Sequence, residues 1–289
     1  MSRILTSGAR RSSSKWTAAV QRTVVKRRAV DVSEGVHGRY VTDTDSEGVV
    51  GSLEPPGGRI SQIRAGRSSI RTMCPFKSDF AFANELRDRM LLTHPFYLRW
   101  ERGEVSIAEL AAYVGQYRHF ESYLPRFLSD LVASLPAGTA RDLVEANLAD
   151  EKGDPTPHVE MFERFASGVG AKVEDSSPAT SNLIATYEGL LAVGPDAALA
   201  GFVAYESQSS DVAARKAEGL RRHYGLDDEA VSFWEHHAAV DVRHGEWAQR
   251  AMEESSKDKL ELLPFARQAA DAWWSFLDER EALARATSA

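Results

Sequence analysis

The sequence predicts an all-α protein. From residue 79 onward, apolar residues recur every three or four positions, which is the period of an amphipathic helix. Ser106 followed by Glu109 forms a capping box, which predicts the start of a long helix. No segment shows a convincing strand pattern, and no internal repeat of fixed length is visible. The first helical run contains Phe80, Ala83, Leu86 and Met90.

Proline and glycine residues set the boundaries of the other helices. Pro136 to Gly138 interrupt the helix that Ser106 begins, and Gly153, Pro155 and Pro157 interrupt the next one. Pro195 is suited to a helix start and Gly225 to a helix end. We therefore predict about seven helices. Their segments begin near residues 79 and 106, cover residues 139–151, resume at His158, and span residues 179–191, 195–223, 228–252 and 260–285.

The composition divides the chain at Met73. Residues 1–72 contain thirteen Lys and Arg but six Asp and Glu, whereas the whole chain has a net charge of −7. This segment is rich in Ser, Arg and Gly and lacks a sustained apolar period, which predicts a disordered extension. A start codon assigned too far upstream, with Met73 as the true start, is the simpler explanation, and an organellar transit peptide is another. Residues 73–289 are predicted to form the folded helical domain.

Several classes of protein are disfavoured by the composition. Arg10 and Arg11 resemble a twin-arginine signal, but the residues after them are polar, which argues against export. The single cysteine, Cys74, excludes an intramolecular disulfide and fits a reducing compartment, so we expect a cytoplasmic protein. No apolar run predicts a membrane span. The acidic charge of the folded part argues against nucleic acid as a partner.

A set of three carboxylates and three imidazoles indicates a site for two metal ions. Glu151 and His158 flank a helix break, and a single glutamate follows in an apolar helical context. The last three residues lie in a His-x3-Asp-x2-His pattern, which places them on one helix face. Such oxygen-rich sites suit iron or manganese and dioxygen chemistry better than structural zinc. The six candidate ligands are Glu151, His158, Glu206, His237, Asp241 and His244.

Each part of this pattern has a simpler interpretation on its own. His and Asp residues often mark a solvated helix face, and His236 beside His237 shows that the region is rich in histidine. Glu151 and His158 could be exposed residues of an ordinary interhelical loop. Glu206, however, is expected on or near the buried, apolar face of its helix. A buried carboxylate needs a partner such as a metal ion.

At these residues the chain resembles the heme-oxygenase-like dimetal oxidases, a family of seven-helix bundles with the same order of ligands. Within that family it is most similar to the CADD-like para-aminobenzoate synthases. The similar stretches are residues 94–100, 147–151, 205–208 and 241–244, and the resemblance extends over residues 79–280. It implies a heme-oxygenase-like bundle of the type that TenA-like and PqqC-like proteins share.

The resemblance also implies an unusual reaction. CADD-like enzymes cut para-aminobenzoate, a folate precursor, from a tyrosine of their own chain, and a lysine supplies the nitrogen. Tyr97 matches the sacrificed tyrosine and Lys216 the amine donor, while Tyr113 and Tyr205 match tyrosines near the metals. The implied cofactor is a di-iron or Mn/Fe pair, with dioxygen and an electron donor as reaction partners. A homodimer is compatible with the sequence.

Other functions remain open at this point. The same six ligands would serve an oxidase that acts on an external fatty acid, amino acid or amine. A metal-free relative, similar to thiaminase-like or pyrroloquinoline quinone synthase-like members of the fold, or a helical interaction protein, is a third possibility. Tyr97 could be a half-buried core aromatic and Lys216 an exposed helical lysine. Phe233 departs from the pattern, because a close relative would have tyrosine there.

Overall fold

The computed structural model describes residues 82–153, 156–255 and 257–288. These ranges contain eight α-helices and no strand, so the all-α prediction is confirmed. The predicted extension, residues 1–72, and the chain start predicted at Met73 lie outside the described residues. The helices are α1 (Pro95–Glu101), α2 (Ile107–Ser134), α3 (Thr139–Lys152), α4 (His158–Gly168), α5 (Pro178–Val193), α6 (Pro195–Gly219), α7 (Asp228–Glu253) and α8 (Lys259–Ser288).

Local sequence signals account for most of the helix ends. The Ser106 side chain accepts a hydrogen bond from the backbone of Glu109, whose carboxylate accepts one from the backbone of Ser106, as the capping-box pattern predicts. Pro195 is the first residue of α6. A π-helical turn, Leu220–Tyr224, follows α6 and ends at Gly225, which has a φ of 61°. Glycine adopts this left-handed conformation at little cost.

The helix predicted from residue 79 is wrong over residues 82–94. The chain there forms turns and two short 3-10 segments, Arg87–Arg89 and Leu91–Thr93. Met90 is extended. His94 is extended as well, because Pro95 disfavours helical backbone angles in the residue that precedes it. The apolar period nevertheless indicates correctly which side chains are buried, since those of Phe82, Leu86 and Met90 are. Helix α1 begins only at Pro95, where the His94 ring accepts a hydrogen bond from the backbone of Phe96.

Helices α6 and α7 form the centre of the bundle. Helix α6 packs along α7 and also against α5 and α8, while α3 and α4 pack on α7, and α2 contacts α3, α4 and α5. Gly245 of α7 permits the close approach of α6, since a Cβ atom at this position would lie 3.1 Å from the backbone oxygen of Glu206. Two of the helices that carry candidate ligands are thus held backbone against backbone. No helix among the described residues is long and apolar enough to span a membrane.

A second close approach joins α1 to the end of α6. A Cβ atom at Gly219 would lie 2.6 Å from Cδ1 of Trp100, whose buried indole donates a hydrogen bond to the Lys216 carbonyl. We expect Gly219→Ala to destabilise the protein by about 1–3 kcal/mol, because overpacking outweighs the gain of about 1 kcal/mol in helix propensity. Urea denaturation followed by circular dichroism measures this change in the free energy of unfolding.

Gly189→Ala is the matched control. Gly189 lies within α5, and none of the described atoms comes within 4 Å of a Cβ built there. We expect this variant to be more stable than the wild type by about 0.5–1 kcal/mol, the difference in helix propensity alone. Equal stabilisation by both substitutions would contradict the close contact between Gly219 and Trp100.

Candidate metal centre

The six candidate ligands form two buried triads. Glu151, His158 and His237 make up the first triad, and in each triad the potential ligand atoms all lie within 4.8 Å of one another. The second triad consists of Glu206, Asp241 and His244. The triads adjoin each other, since His244 Nδ1 lies 3.7 Å from Glu151 Oε1. The structure therefore brings together all six residues that the sequence singled out.

A helix break assembles the first triad. Glu151 lies near the end of α3, and His158 is the first residue of α4. Between them Gly153 has a φ of 58°, and a Cβ there would collide with the backbone of Thr156. The turn directs His158 back toward α3, so its Nδ1 lies 3.1 Å from Glu151 Oε2. His237 of α7 completes the triad, with its ring centroid 4.5 Å from that of His158.

The second triad joins α6 to α7. Asp241 and His244 are separated by three residues on α7, and their facing Oδ1 and Nδ1 atoms are 3.4 Å apart. Glu206 reaches them from α6, and the Ser209 hydroxyl donates a hydrogen bond to its Oε2 at 3.2 Å. Within the described part of the chain, Asp241 Oδ1 and His244 Nδ1 have no hydrogen-bond partner. Buried polar atoms normally have a partner, and a metal ion would supply one here.

The charges of the site also favour cations. Burial, and then the charge of Asp241, raise the pKa of Glu206 well above its usual value. Burial opposes ionisation of His244, but the adjacent carboxylates raise its pKa to about 9. Burial raises the pKa of Asp241, but this pKa still lies below its usual value, because the effect of the neighbouring His237 and His244 outweighs that of burial. Like charges are thus concentrated in a buried space, a situation that bound cations relieve. The donor set of carboxylates and imidazoles fits two iron or manganese ions.

Tyr97 and Lys216 lie side by side next to these triads. Lys216 is buried, and its Nζ lies 5.2 Å from the ring centroids of both Tyr97 and Tyr113. Its surroundings are aromatic, with the rings of Trp234 and Tyr117 at 3.7 and 4.5 Å. Burial lowers the pKa of Lys216 well below its usual value. The structure thus contradicts the exposed lysine that the sequence left open.

The three predicted tyrosines take part in two hydroxyl pairs, one of which includes Tyr117. Tyr97 and Tyr113 are hydrogen-bonded through their hydroxyl groups at 2.9 Å. Tyr205 pairs in the same way with Tyr117 at 2.5 Å. Burial raises the pKa of Tyr97, so its phenol is held in the neutral form. Tyr97 is only 5% exposed, which contradicts the half-buried aromatic considered from the sequence.

A small cavity lies between the candidate metal ligands and the pair formed by Tyr97 and Lys216. Its volume is about 20 Å³, and its lining includes Tyr97, Lys216, Glu151, Glu206, His237 and Asp241. A cavity of this size holds about one water molecule. Phe233, where the resemblance implied tyrosine, also lines the cavity, and its ring centroid lies 4.1 Å from that of His237. Phe233 therefore presents an apolar ring to the cavity and to His237.

Sequence reasoning missed three residues of this site: Glu121, Tyr117 and Trp234. Glu121 is buried and lines the cavity, and its Oε1 has no hydrogen-bond partner among the described residues. Burial, and then the charge of Glu151, raise the pKa of Glu121 well above its usual value. Helical spacing could have revealed it, because Tyr113, Tyr117 and Glu121 follow one another at intervals of four on α2.

Comparison with known proteins identifies the family of this chain. Residues 111–275 match the family described as iron-containing redox enzymes. The 4-aminobenzoate synthase of Nitrosomonas europaea is 33% identical over 212 residues, which cover 67% of this chain and 86% of that protein. The 4-aminobenzoate synthase of Chlamydia muridarum is 28% identical over 205 residues, covering 67% and 85%. The resemblance to CADD-like para-aminobenzoate synthases is thereby confirmed.

Solved structures show the same fold at lower sequence identity. A domain with a heme-oxygenase-like fold from Shewanella denitrificans has a TM-score of 0.59 and 18% identity, covering 71% of this chain and 91% of that one. A TenA homolog from Pseudomonas syringae has a TM-score of 0.60 and 13% identity, covering 70% and 91%. This chain therefore belongs to the family of iron-containing redox enzymes and is an oxidoreductase with a heme-oxygenase-like fold.

Proposed function

We propose that this protein is a self-sacrificing 4-aminobenzoate synthase, which provides a precursor of folate. Tyr97 is the carbon source, Lys216 is the nitrogen source, and each chain reacts at most once. The names of the curated relatives support the product. The observation that carries the proposal is the position of Tyr97 and Lys216, which are buried together beside two triads of candidate metal ligands.

The six side chains of the two triads are the proposed metal ligands. Glu151, His158 and His237 would hold one ion, and the second triad would hold the other, as Fe/Fe or Mn/Fe. Once reduced by an external electron donor, the metal pair would activate dioxygen. The protein side chains would fix the two ions close together and beside the aromatic cavity that contains Tyr97.

The size of the cavity favours a substrate that is part of the chain. Pockets for small organic substrates usually have volumes of about 300–1,000 Å³. The cavity of about 20 Å³ accommodates a water-sized molecule but not a free aromatic ring. The Tyr97 ring already lies at its wall, so no separate aromatic substrate has to enter. This geometry argues against the external-substrate oxidase considered from the sequence.

Tyrosine already contains most of the product skeleton. Both Tyr97 and 4-aminobenzoate carry two para substituents on a benzene ring. Breaking the Cα–Cβ bond and oxidising Cβ would give the carboxylate, with dioxygen and the external donor balancing the electrons. The lysine nitrogen would form a bond to the oxidised ring carbon Cζ while the phenol oxygen leaves as water. Hydrolysis of an imine at Cε of Lys216 would then break the Nζ–Cε bond and leave an aldehyde on that side chain. The hydrogen bond between the Tyr97 and Tyr113 hydroxyl groups holds the Tyr97 hydroxyl in place.

Lys216 is suited to act as a nucleophilic amine. An amine attacks only in its neutral form, and burial among aromatic rings disfavours the ammonium form. Its Nζ lies 5.2 Å from the centre of the Tyr97 ring, so a small movement of either side chain brings nitrogen and ring carbon into contact. The aromatic cage formed by Trp234, Tyr117 and Tyr113 limits the alternative positions of the lysine.

The first prediction of this proposal concerns metal content. Loaded anaerobically with Fe(II) and Mn(II), the full-length protein should retain two ions per chain after desalting, one for each triad. His237→Ala and Asp241→Ala should each retain about one ion, because each removes a ligand from a different triad. Elemental analysis by mass spectrometry measures the content. His119→Ala is the control, since His119 contacts the Glu174 backbone carbonyl at the surface and belongs to neither triad. Full metal content in both triad variants would contradict the ligand assignment.

The second prediction concerns the source of the ring. With metals, reductant and dioxygen but no aromatic substrate, the protein should release at most one equivalent of 4-aminobenzoate. Peptide mapping by mass spectrometry should locate the lost mass at Tyr97. Tyr97→Phe should yield less than about 1% of the wild-type product, because its ring lacks the reacting oxygen. Tyr123→Phe should retain the wild-type yield, since Tyr123 lines a separate surface groove. Multiple turnovers per chain would point to an external substrate.

The third prediction concerns the nitrogen. Protein produced with lysine that carries ¹⁵N in its side chain should transfer the label to 4-aminobenzoate. Lys216→Ala should lose the product while retaining both metal ions, because the amine donor is absent and the triads are intact. Lys172→Ala, which removes an exposed lysine, should behave as the wild type. Unlabelled product from the labelled protein would refute the role of Lys216.

A further inference from the structure

Each histidine of the two triads has one ring nitrogen that contacts a residue outside its triad. His244 Nε2 lies 3.1 Å from Oδ2 of Asp150, and His158 Nε2 lies 3.1 Å from Nε2 of His236. His237 Nδ1 donates to the Phe233 carbonyl at 2.8 Å. These contacts occupy the ring nitrogens that point away from the opposing ligand atoms.

The contacts determine which nitrogen can bind a metal. A histidine that binds metal is neutral, and its other ring nitrogen carries the proton and donates it to an outer partner. Asp150 is such an acceptor for Nε2 of His244, which leaves Nδ1 facing Asp241 and Glu151. His236 is the acceptor for Nε2 of His158, which leaves Nδ1 facing Glu151.

The outer partners of the two triads differ in charge. Asp150 is a carboxylate that also pairs with the Arg243 guanidinium at 2.9 Å. Among the described residues, the outer partners of the first triad are neutral: an imidazole from His236 and the carbonyl of Phe233. Its own donors are one carboxylate and two imidazoles, whereas the second triad has two carboxylates and one imidazole. The second triad is therefore the more anionic one, and its imidazole is the more basic.

We propose that Asp150 and His236 are positioning residues, each serving one metal position. Asp150 holds His244 with Nδ1 toward the second triad, and His236 holds His158 with Nδ1 toward the first. This proposal rests on the metal ligands of the proposed function and assigns a role to two residues outside that set. It also makes the two positions unequal, with the anionic second triad binding Mn(II) more tightly than the first.

Anaerobic titration with Mn(II) tests this assignment, with free Mn(II) measured by electron paramagnetic resonance. Single-position backgrounds separate the triads: His237→Ala leaves the second triad intact, and Asp241→Ala leaves the first. In the His237→Ala background, Asp150→Ala should weaken Mn(II) binding about 10-fold to 100-fold, and His236→Leu should leave it unchanged. In the Asp241→Ala background, His236→Leu should weaken Mn(II) binding by the same factor, and Asp150→Ala should leave it unchanged.

Matched variants separate positioning from general effects on stability. Arg243→Gln removes the ion pair but keeps the contact between Asp150 and His244, so it should preserve binding. Glu145→Ala removes an exposed acid from the same helix and should also preserve binding. His236→Gln supplies a carbonyl acceptor and should restore most of the affinity that His236→Leu loses. Asp150→Asn keeps an acceptor without the charge, so its affinity should fall between those of the wild type and Asp150→Ala.

The outcomes distinguish this proposal from the proposed function. Unchanged Mn(II) affinity in Asp150→Ala and His236→Leu would overturn the positioning role, even if the wild type makes 4-aminobenzoate. An equal loss of Mn(II) affinity at both triads from either variant would also overturn it, because a general loss of stability would not affect one triad more than the other. If a double variant fails to fold, Asp150→Ala and His236→Leu in the otherwise unmodified chain supply the comparison, and each should weaken the binding of one of the two Mn(II) ions. A wild type that binds two Mn(II) ions but makes no 4-aminobenzoate would refute only the synthase.

Discussion

The burial of several carboxylates in one small space is the constraint on which the site depends. Glu151, Glu206 and Asp241 are 3–5% exposed, and Glu121 lies beside them at 4%. Such a group of like charges is costly unless cations or protons neutralise it. The surrounding helices must therefore hold the group together with enough packing energy to offset that cost. The backbone contact between α6 and α7 at Gly245 and the large aromatic core supply this packing.

The same low-polarity environment prepares Lys216 for its proposed role. A lysine amine in water is protonated and unreactive, whereas burial among Tyr97, Tyr113, Tyr117 and Trp234 favours the neutral amine. The aromatic rings thus exclude water, hold the lysine and supply the proposed substrate ring. The candidate metal ligands and the amine line the same small cavity, so the low polarity that is unfavourable for the carboxylates favours the neutral amine.

Local signals in the sequence predicted most of the helices. The capping box at Ser106, the break at Gly153 and the terminating Gly225 act through neighbouring residues, so they can be read without the fold. The helix predicted from residue 79 failed for a related reason. Apolar residues at intervals of three and four report a buried face, but the extended backbone at Met90 and before Pro95 breaks the chain into 3-10 turns. Burial was predicted correctly there, and the backbone was not.

The sequence by itself determined the helical class and the set of candidate ligands, because residue spacing on a helix fixes which side chains share a face. The His-x3-Asp-x2-His pattern needed only the geometry of α7, whereas the partners of those residues lie on other helices. Only the tertiary structure placed Lys216 against Tyr97, brought Glu121 into the cavity and paired His244 with Asp150 and His158 with His236. These contacts depend on the distances and rotations between packed helices, which the periodicity of a single chain segment does not encode.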